Sequence, residues 1–165
     1  MPELINQNGK PSNLYLKNRA CKSSIITDLS KLISKVKSCN KTEIEKISVY
    51  AKERVEYAGL IAKCILNNGA KSIANLYVID SIIKNVRGVY ITLFSDRSMI
   101  RRFSETFESA ESNIRLKMFT LRHSWNGVFS PRLLNEIDRE ISKSDSNWPV
   151  MEFEKIYSYS VSIHQ

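Results

Sequence analysis

The chain has 165 residues, 42% of them hydrophobic, with only 5 glycines and 4 prolines, which is the composition of one helical domain with a packed core. Its formal net charge of +8 favours an acidic partner, such as a phosphopeptide, a nucleic acid or an anionic membrane, without choosing among them. No apolar run approaches the length of a membrane span, and the first ten residues lack the apolar stretch of a signal peptide.

Residues suited to metal binding or catalysis are sparse and scattered. Cys21, Cys39 and Cys64 form no CxxC pair, and the only histidines are His123 and His164, so we expect reduced thiols in an intracellular protein. The chain contains no GxGxxG, P-loop, GxSxG or HExxH spacing. We therefore expect neither a metal nor a cofactor, and no enzymatic activity.

The two ends of the chain differ in composition from the middle. Residues 1–22 are polar with Pro, Gly and Asn, and are predicted to be an N-terminal tail. Residues 23–147 contain the helical patterns and are predicted to form the domain. In residues 148–165, Tyr157, Tyr159, Val161 and Ile163 alternate with serines, a strand-like period that has no partner in a helical domain, so this part is predicted to be a tail or linker.

The first predicted helices lie on either side of a polar loop. Ile25, Leu29 and Leu32 recur at helical spacing in the first. The loop that follows offers two starts for the second helix, Asn40 with Glu43 or Thr42 with Glu45. A third helix is predicted around residues 55–66, and the sequence NNG ends it.

The central predicted helix covers residues 74–88, with Ser72 as a candidate cap and Gly88 at its end. At 100° per residue its apolar side chains fill one arc that faces the core: Leu76, Ile79, Ile82, Ile83 and Val86. A polar row borders this arc, comprising Tyr77, Asp80 and Lys84 with Ser81 on its flank. Asp80 is either a structural carboxylate satisfied by a neighbouring helix end or part of a groove for an extended ligand.

Two predicted helices follow a short apolar segment at residues 90–94. Ser98 is predicted to begin a helix with Phe103 and Phe107 in the core. A further helix covers residues 113–126, where Trp125 falls on the apolar stripe and Lys117, Thr120 and Ser124 form a polar row. Gly127 ends it, and Ser130 followed by Pro131 predicts the start of a last amphipathic helix.

Several of these segments resemble a known family. The stretches YVIDSIIKNV and RGVYITLF, the run from FSETFESAESNIRLKMFTLRHSWNGVFSPRLLNEID, and SDSNWPV are similar to the CTD-interacting domain, which grips the heptad-repeat tail of RNA polymerase II. The pattern is most similar to the domain in the polymerase-binding subunit of pre-mRNA cleavage factors IA and II. The resemblance covers the chain from about Thr27 to Val150. It implies an all-α, right-handed superhelix of about eight helices, related to VHS and ENTH domains.

The resemblance also implies a peptide-binding groove between the second, fourth and seventh helices. Asp80 would accept the hydroxyl of the heptad tyrosine, with Tyr77 and Ser81 beside it. Lys41, Lys84 and Lys117 would supply a positive field. The full set of implied peptide-binding residues is Asn40, Lys41, Tyr77, Asp80, Ser81, Lys84, Lys117, Thr120 and Ser124.

Two positions depart from the family pattern. Thr42 stands where the family's loop has proline, and Thr120 stands where relatives that read a phosphate directly have arginine. We therefore expect only a mild preference for heptads phosphorylated at the second-position serine.

The implied function is that of a nuclear docking module that binds the phosphorylated heptad repeats and couples transcription to 3′-end cleavage, polyadenylation and termination. Its implied partners are the polymerase tail and other subunits of the cleavage and polyadenylation machinery. We expect no membrane partner. Two alternatives stay open: a VHS- or ENTH-like adaptor for acidic peptides or lipid headgroups, and RNA binding by the same basic surface.

Overall fold

The computed structural model describes residues 13–36, 39–68 and 71–148. These residues form eight α-helices and one short 3₁₀ turn, Val55–Tyr57. The helices are α1 (Asn13–Lys35), α2 (Lys41–Glu53), α3 (Ala58–Asn68), α4 (Ile73–Asn85), α5 (Val89–Leu93), α6 (Arg97–Glu108), α7 (Ser112–His123) and α8 (Pro131–Ser142). The predicted all-α class and the predicted number of helices are therefore confirmed.

Side-chain caps fix the start of three helices. The Asn40 side chain accepts the backbone N–H of Thr42 at 3.0 Å, so α2 uses the first of its two predicted starts. Ser130 caps α8 with Pro131 at the first helical position, as predicted. The predicted start of α6 at Ser98 is wrong by one residue, because Asp96 accepts the backbone N–H of Ser98 and Met99 and the helix begins at Arg97.

Helix α4 lies at the centre of the packing, in contact with α2, α5 and α7. Its predicted core residues Leu76, Ile79, Ile82 and Ile83 have no exposed surface. Each such side chain contributes roughly 1.5–3 kcal/mol relative to an exposed one. The helix ends at Asn85, three residues before Gly88, and Arg87 at φ 61° and Gly88 at φ 54° carry the chain into α5. Their left-handed backbone conformation ends the helix.

An aromatic cluster packs around Trp125 and Trp148 in the core. Trp125 is fully buried, as predicted, and its ring meets Phe103 edge to face at a centroid distance of 5.6 Å. Trp148 meets Phe107 in the same way at 5.2 Å. The cluster joins α6, the end of α7 and the chain beyond α8.

A buried ion pair connects α7 to α8. Arg122 Nε donates to Asp138 Oδ1 at 2.9 Å and Arg122 Nη2 donates to Asp138 Oδ2 at 2.5 Å, while both side chains are almost completely buried. Trp148 Nε1 donates to the same Oδ1 at 2.9 Å. Arg122 thus points away from the polar row of α7, as its place on the helical wheel predicts. The carboxylate is satisfied by three donors, as a buried charge requires.

The structured region is longer than the sequence indicates at both ends. Helix α1 begins at Asn13, ten residues before the predicted domain start at residue 23. Trp148, assigned to the C-terminal tail, is buried in the aromatic cluster. The strand-like pattern at Tyr157–Ile163 lies outside the described residues, and the division into domain and tails stays a prediction.

Across the described ranges, no helix is both long and apolar enough to cross a membrane. The same residues contain no cluster of three or more side chains suited to metal coordination.

Candidate peptide-binding site

A groove of about 600 Å³ runs between α2, α4 and α7. Its lining comes from the loop before α2, from the first turns of α2, from the polar row of α4 and from one lysine of α7. These residues are Cys39, Lys41, Ile44, Glu45, Tyr77, Asp80, Ser81, Lys84, Asn85 and Lys117. Six of the nine residues predicted to bind peptide therefore meet in one groove: Lys41, Tyr77, Asp80, Ser81, Lys84 and Lys117.

Asp80 is held in place by two donors. The indole Nε1 of Trp125 donates to its Oδ1 at 2.8 Å, and Lys84 Nζ lies 2.6 Å from the same oxygen. Within the described part of the chain, Oδ2 has no donor, while the Asp80 side chain keeps 17% of its surface exposed. The carboxylate is thus both structural and available, since one oxygen is anchored to the core and the other can accept a bond from a ligand.

Lys84 connects α4 to the C-terminal end of α7. Its Nζ pairs with Asp80, one turn earlier on α4, and also donates to Ser124 Oγ at 2.9 Å at the C-terminal end of α7. The Ser124 hydroxyl in turn donates to the carbonyl of Leu121 at 2.7 Å. Ser124 therefore does not line the groove but holds the lysine that does.

Ser81 connects α4 to α2. Its Oγ accepts from the buried Ser48 hydroxyl at 2.7 Å and from Asn85 Nδ2 at 3.1 Å. These two bonds use the acceptor capacity of the oxygen and leave its own proton as a donor. Ser81 can therefore donate one hydrogen bond to a ligand while it fixes the floor of the groove.

Tyr77 presents a protonated phenol beside Asp80. Partial burial raises its pKa, and the neighbouring Cys39 and Asp80 groups raise it further. Within the described ranges its hydroxyl has no hydrogen-bond partner. The side chain is thus a neutral hydrogen-bond donor and acceptor at physiological pH.

The three lysines of the groove differ in how they are paired. Lys84 is bound to Asp80, and Lys41 lies 3.6 Å from Glu45 in an exposed pair that contributes little. Lys117 is exposed, and nothing in the described ranges pairs with it. Among the three lysines, Lys117 is therefore the one whose charge no carboxylate of the described residues offsets.

Asn40 and Thr120 do not line the groove. The Asn40 side chain is occupied in capping α2, which positions Lys41 at the groove's end. Thr120 is exposed on α7, and its hydroxyl donates to the Leu116 carbonyl at 3.2 Å. Its one proton is therefore already engaged within the helix.

Four lining residues were missed by the sequence analysis: Cys39, Ile44, Glu45 and Asn85. Asn85 lies four residues after Ser81, and Ile44 and Glu45 follow Lys41 by three and four residues, so each shares a helix face with a residue that was predicted. Extension of each polar row by one helical turn would have found these three. Cys39 carries no comparable signal.

Comparison with known proteins gives two similarities. The chain is 29% identical over 136 residues to the polyadenylation and cleavage factor homolog 11 of Caenorhabditis elegans, which covers 77% of this chain and 16% of that protein. The chain thus corresponds to a small part of that relative. No protein-family model matches the sequence.

The fold is similar to the crystal structure of the RPR of Pcf11, with a TM-score of 0.65 and 20% sequence identity. The match covers 72% of this chain and 98% of the Pcf11 chain. The two comparisons confirm the resemblance found in the sequence: the chain is similar in sequence to part of a polyadenylation and cleavage factor homolog and has the fold of the RPR of Pcf11.

Proposed function

We propose that this chain is a non-catalytic docking module for the heptad-repeat C-terminal domain of RNA polymerase II. In this role it acts in the nucleus and couples transcription to pre-mRNA 3′-end cleavage, polyadenylation and termination. Its further partners are other subunits of the cleavage and polyadenylation machinery. Similarity to Pcf11-type factors supports a role in pre-mRNA 3′-end processing, and the geometry of the groove supports a peptide as the ligand.

The observation that carries the proposal is the Asp80 carboxylate in the α2–α4–α7 groove. One oxygen is fixed by Trp125 and Lys84, and the other faces no donor of the described chain. A partly buried acceptor prepared in this way suits a neutral hydroxyl donor such as the tyrosine of a heptad repeat. The groove is open and its lining comes from three helices, which suits an extended peptide better than a compact metabolite.

The remaining predicted residues have distinct proposed roles. Tyr77 and Ser81 each offer a hydrogen bond on the same wall as Asp80, and Ser124 and Asn40 position Lys84 and Lys41. Lys41, Lys84 and Lys117 provide a field that favours acidic or phosphorylated peptides. Thr120 lies one helical turn after Lys117 on α7 and carries no charge.

The affinity should be modest. A disordered peptide loses conformational entropy when it docks, and the groove offers few fully buried anchors, so we expect a dissociation constant of roughly micromolar to tens of micromolar.

Fluorescence anisotropy with a labelled two-repeat heptad peptide tests the proposal. Unmodified peptide and each version phosphorylated at a single serine or threonine should bind, whereas a peptide with phenylalanine in place of tyrosine should bind at least ten times more weakly. Equal binding of the tyrosine and phenylalanine peptides would refute the role of Asp80. Binding of an unrelated acidic peptide or of single-stranded RNA, without binding of any heptad peptide, would favour the adaptor or RNA alternative.

A further inference from the structure

Charge is unevenly distributed in the α2–α4–α7 groove. The charged residues of its lining are Lys41 and Glu45 on α2, Asp80 and Lys84 on α4, and Lys117 on α7. Glu45 Oε1 lies 3.6 Å from Lys41 Nζ, and Asp80 Oδ1 lies 2.6 Å from Lys84 Nζ, so each carboxylate is next to a lysine of its own helix. Within the described residues Lys117 has no such partner. The lining charges therefore balance on α2 and on α4, and the excess positive charge is on α7.

Glu45 is accessible to a ligand in the groove although it is paired with Lys41. The Glu45 side chain keeps 54% of its surface exposed, and the Lys41 side chain keeps 88%. An exposed pair of this kind is held weakly, because both charges remain in contact with solvent. The Glu45 carboxylate can therefore interact directly with a bound peptide.

A phosphate would meet different electrostatic surroundings beside α2 and beside α7. Both helices pack against α4, and each contributes its own part of the lining. A phosphorylated serine carries a charge of about −1.5 to −2 at pH 7. Beside α7 this charge is attracted by Lys117, which has no competing carboxylate on that helix in the described lining. Beside α2 the Glu45 carboxylate repels the phosphate, and the attraction of Lys41 does little more than offset that repulsion.

An unmodified hydroxyl, in contrast, suits the Glu45 carboxylate. A serine or threonine hydroxyl can donate a hydrogen bond, and an ionised carboxylate is purely an acceptor. Phosphorylation removes the hydroxyl proton and adds three acceptor oxygens. A phosphorylated residue beside Glu45 therefore loses a hydrogen bond and gains a repulsion between like charges.

We propose that Glu45 is a specificity-determining residue that confines phosphate to the α7 side of the groove. The preferred ligand is then a heptad peptide whose phosphorylated residue lies beside Lys117 and whose residue beside α2 is unmodified. A repeat phosphorylated at both places is disfavoured. This inference rests on the proposed function, since it requires that a heptad peptide occupies the groove.

Fluorescence anisotropy with Glu45→Gln tests the inference. The peptides are two-repeat heptads that carry phosphate at the same serine position in both repeats, each serine position in turn, so that a shift by one repeat cannot avoid the phosphate. Relative to unmodified peptide, Glu45→Gln should raise the affinity for at least one of these phosphopeptides by roughly three- to tenfold, as expected for two charges that solvent screens. That phosphopeptide should not be the one that Lys117→Glu weakens most.

Two further variants control for the change of charge. Glu43→Gln makes the same change on α2, but Glu43 pairs with Lys46 at 2.7 Å and is not among the lining residues, so it should leave the preference unaltered. Lys41→Gln leaves Glu45 without its lysine and should weaken the phosphopeptide that gains from Glu45→Gln. Circular dichroism confirms that each variant is folded.

The inference would be overturned if Glu45→Gln changed the affinities for modified and unmodified peptides by one common factor, or changed none of them. An equal effect of Glu43→Gln would overturn it too, because the change would then reflect net charge and not the position of Glu45. These outcomes leave the proposed function intact, since heptad peptides still bind. Failure of the unaltered chain to bind any heptad peptide would instead contradict the proposed function together with the role of Glu45.

Discussion

The indole of Trp125 donates a 2.8 Å hydrogen bond to the Asp80 carboxylate, across 45 residues of sequence. Trp125 is fully buried, whereas Asp80 opens onto the α2–α4–α7 groove. The orientation of the proposed binding carboxylate is therefore set by the packing of the core. The sequence pattern assigns Trp125 to the core and Asp80 to the groove. In the structure one hydrogen bond connects the two residues, so the core residue helps to hold the groove residue in place.

We expect Asp80→Ala to abolish detectable binding of heptad peptides while the helical circular dichroism spectrum is retained. The variant loses the acceptor at Oδ2 and leaves the Trp125 indole without a partner, which should lower the free energy of unfolding by about 1–3 kcal/mol. Anisotropy and urea unfolding measure the two effects separately. Trp125→Phe is the matched control, because it removes the same hydrogen bond but keeps the carboxylate, and it should retain measurable binding. A folded Asp80→Ala protein with normal affinity would exclude Asp80 from the site.

Lys117→Glu should weaken phosphorylated heptad peptides more than unmodified ones. The reason is that Lys117 is the accessible, unpaired cation of the groove within the described residues. Affinity of the unaltered protein should also fall with salt, since exposed charges are screened over about 8–10 Å. Lys63→Glu, on α3 outside the groove, makes the same change in net charge and should have little effect. Equal weakening of both peptide classes by Lys117→Glu would show that the phosphate lies elsewhere.

Thr120→Arg should create a preference for heptads phosphorylated at the second-position serine. In the native protein the Thr120 hydroxyl donates to the Leu116 carbonyl, so we expect only a mild preference for these peptides. An arginine at this exposed position can form charge-assisted, bidentate bonds to phosphate, typically worth about 1.5–3 kcal/mol. Paired titrations with phosphorylated and unmodified peptides measure the difference. Strong phosphate dependence in the native protein, unchanged by Thr120→Arg, would mean that another residue reads the phosphate.

Tyr90→Phe should change how the free energy of unfolding depends on pH in alkaline solution. Burial raises the pKa of Tyr90 to about 12, and its hydroxyl donates to the Ala51 carbonyl at 3.0 Å. The folded state holds this proton more tightly than the unfolded chain, whose tyrosines titrate near 10, so the stabilisation is complete below pH ~10 and is lost as the pH rises towards 12. At pH 7 the variant should be less stable by about 1 kcal/mol because of the lost hydrogen bond. Urea unfolding at pH 7 and 11 should show that this difference shrinks; a constant difference would contradict the shifted pKa.

Periodicity predicted the buried parts of this protein well, because burial follows helical spacing directly. The apolar arc of α4 and the core position of Trp125 are both as expected. Helix ends were predicted less well, since they depend on contacts that a helical wheel does not represent. Arg87 adopts a left-handed backbone conformation usually associated with glycine, and α4 therefore ends before Gly88.

The same distinction applies to the candidate site. The polar row of α4 was visible in the sequence, and Tyr77, Asp80, Ser81 and Lys84 indeed face one groove. Which atoms remain available to a ligand was not visible. That depends on tertiary hydrogen bonds, such as those from Trp125 to Asp80 and from Lys84 to Ser124, which connect residues 40 or more positions apart.

The donors to the buried Asp138 carboxylate come from both sides of it in sequence, from Arg122 and from Trp148. Removal of the chain after residue 147 would deprive a buried anion of one donor and expose the faces of Phe103 and Phe107 that Trp148 covers. A fragment that ends between α8 and Trp148 should consequently be less stable, and digested further, than one that keeps Trp148. Limited digestion of the native protein should therefore yield a resistant fragment whose C-terminus lies at or beyond Trp148, and not at the end of the last helix.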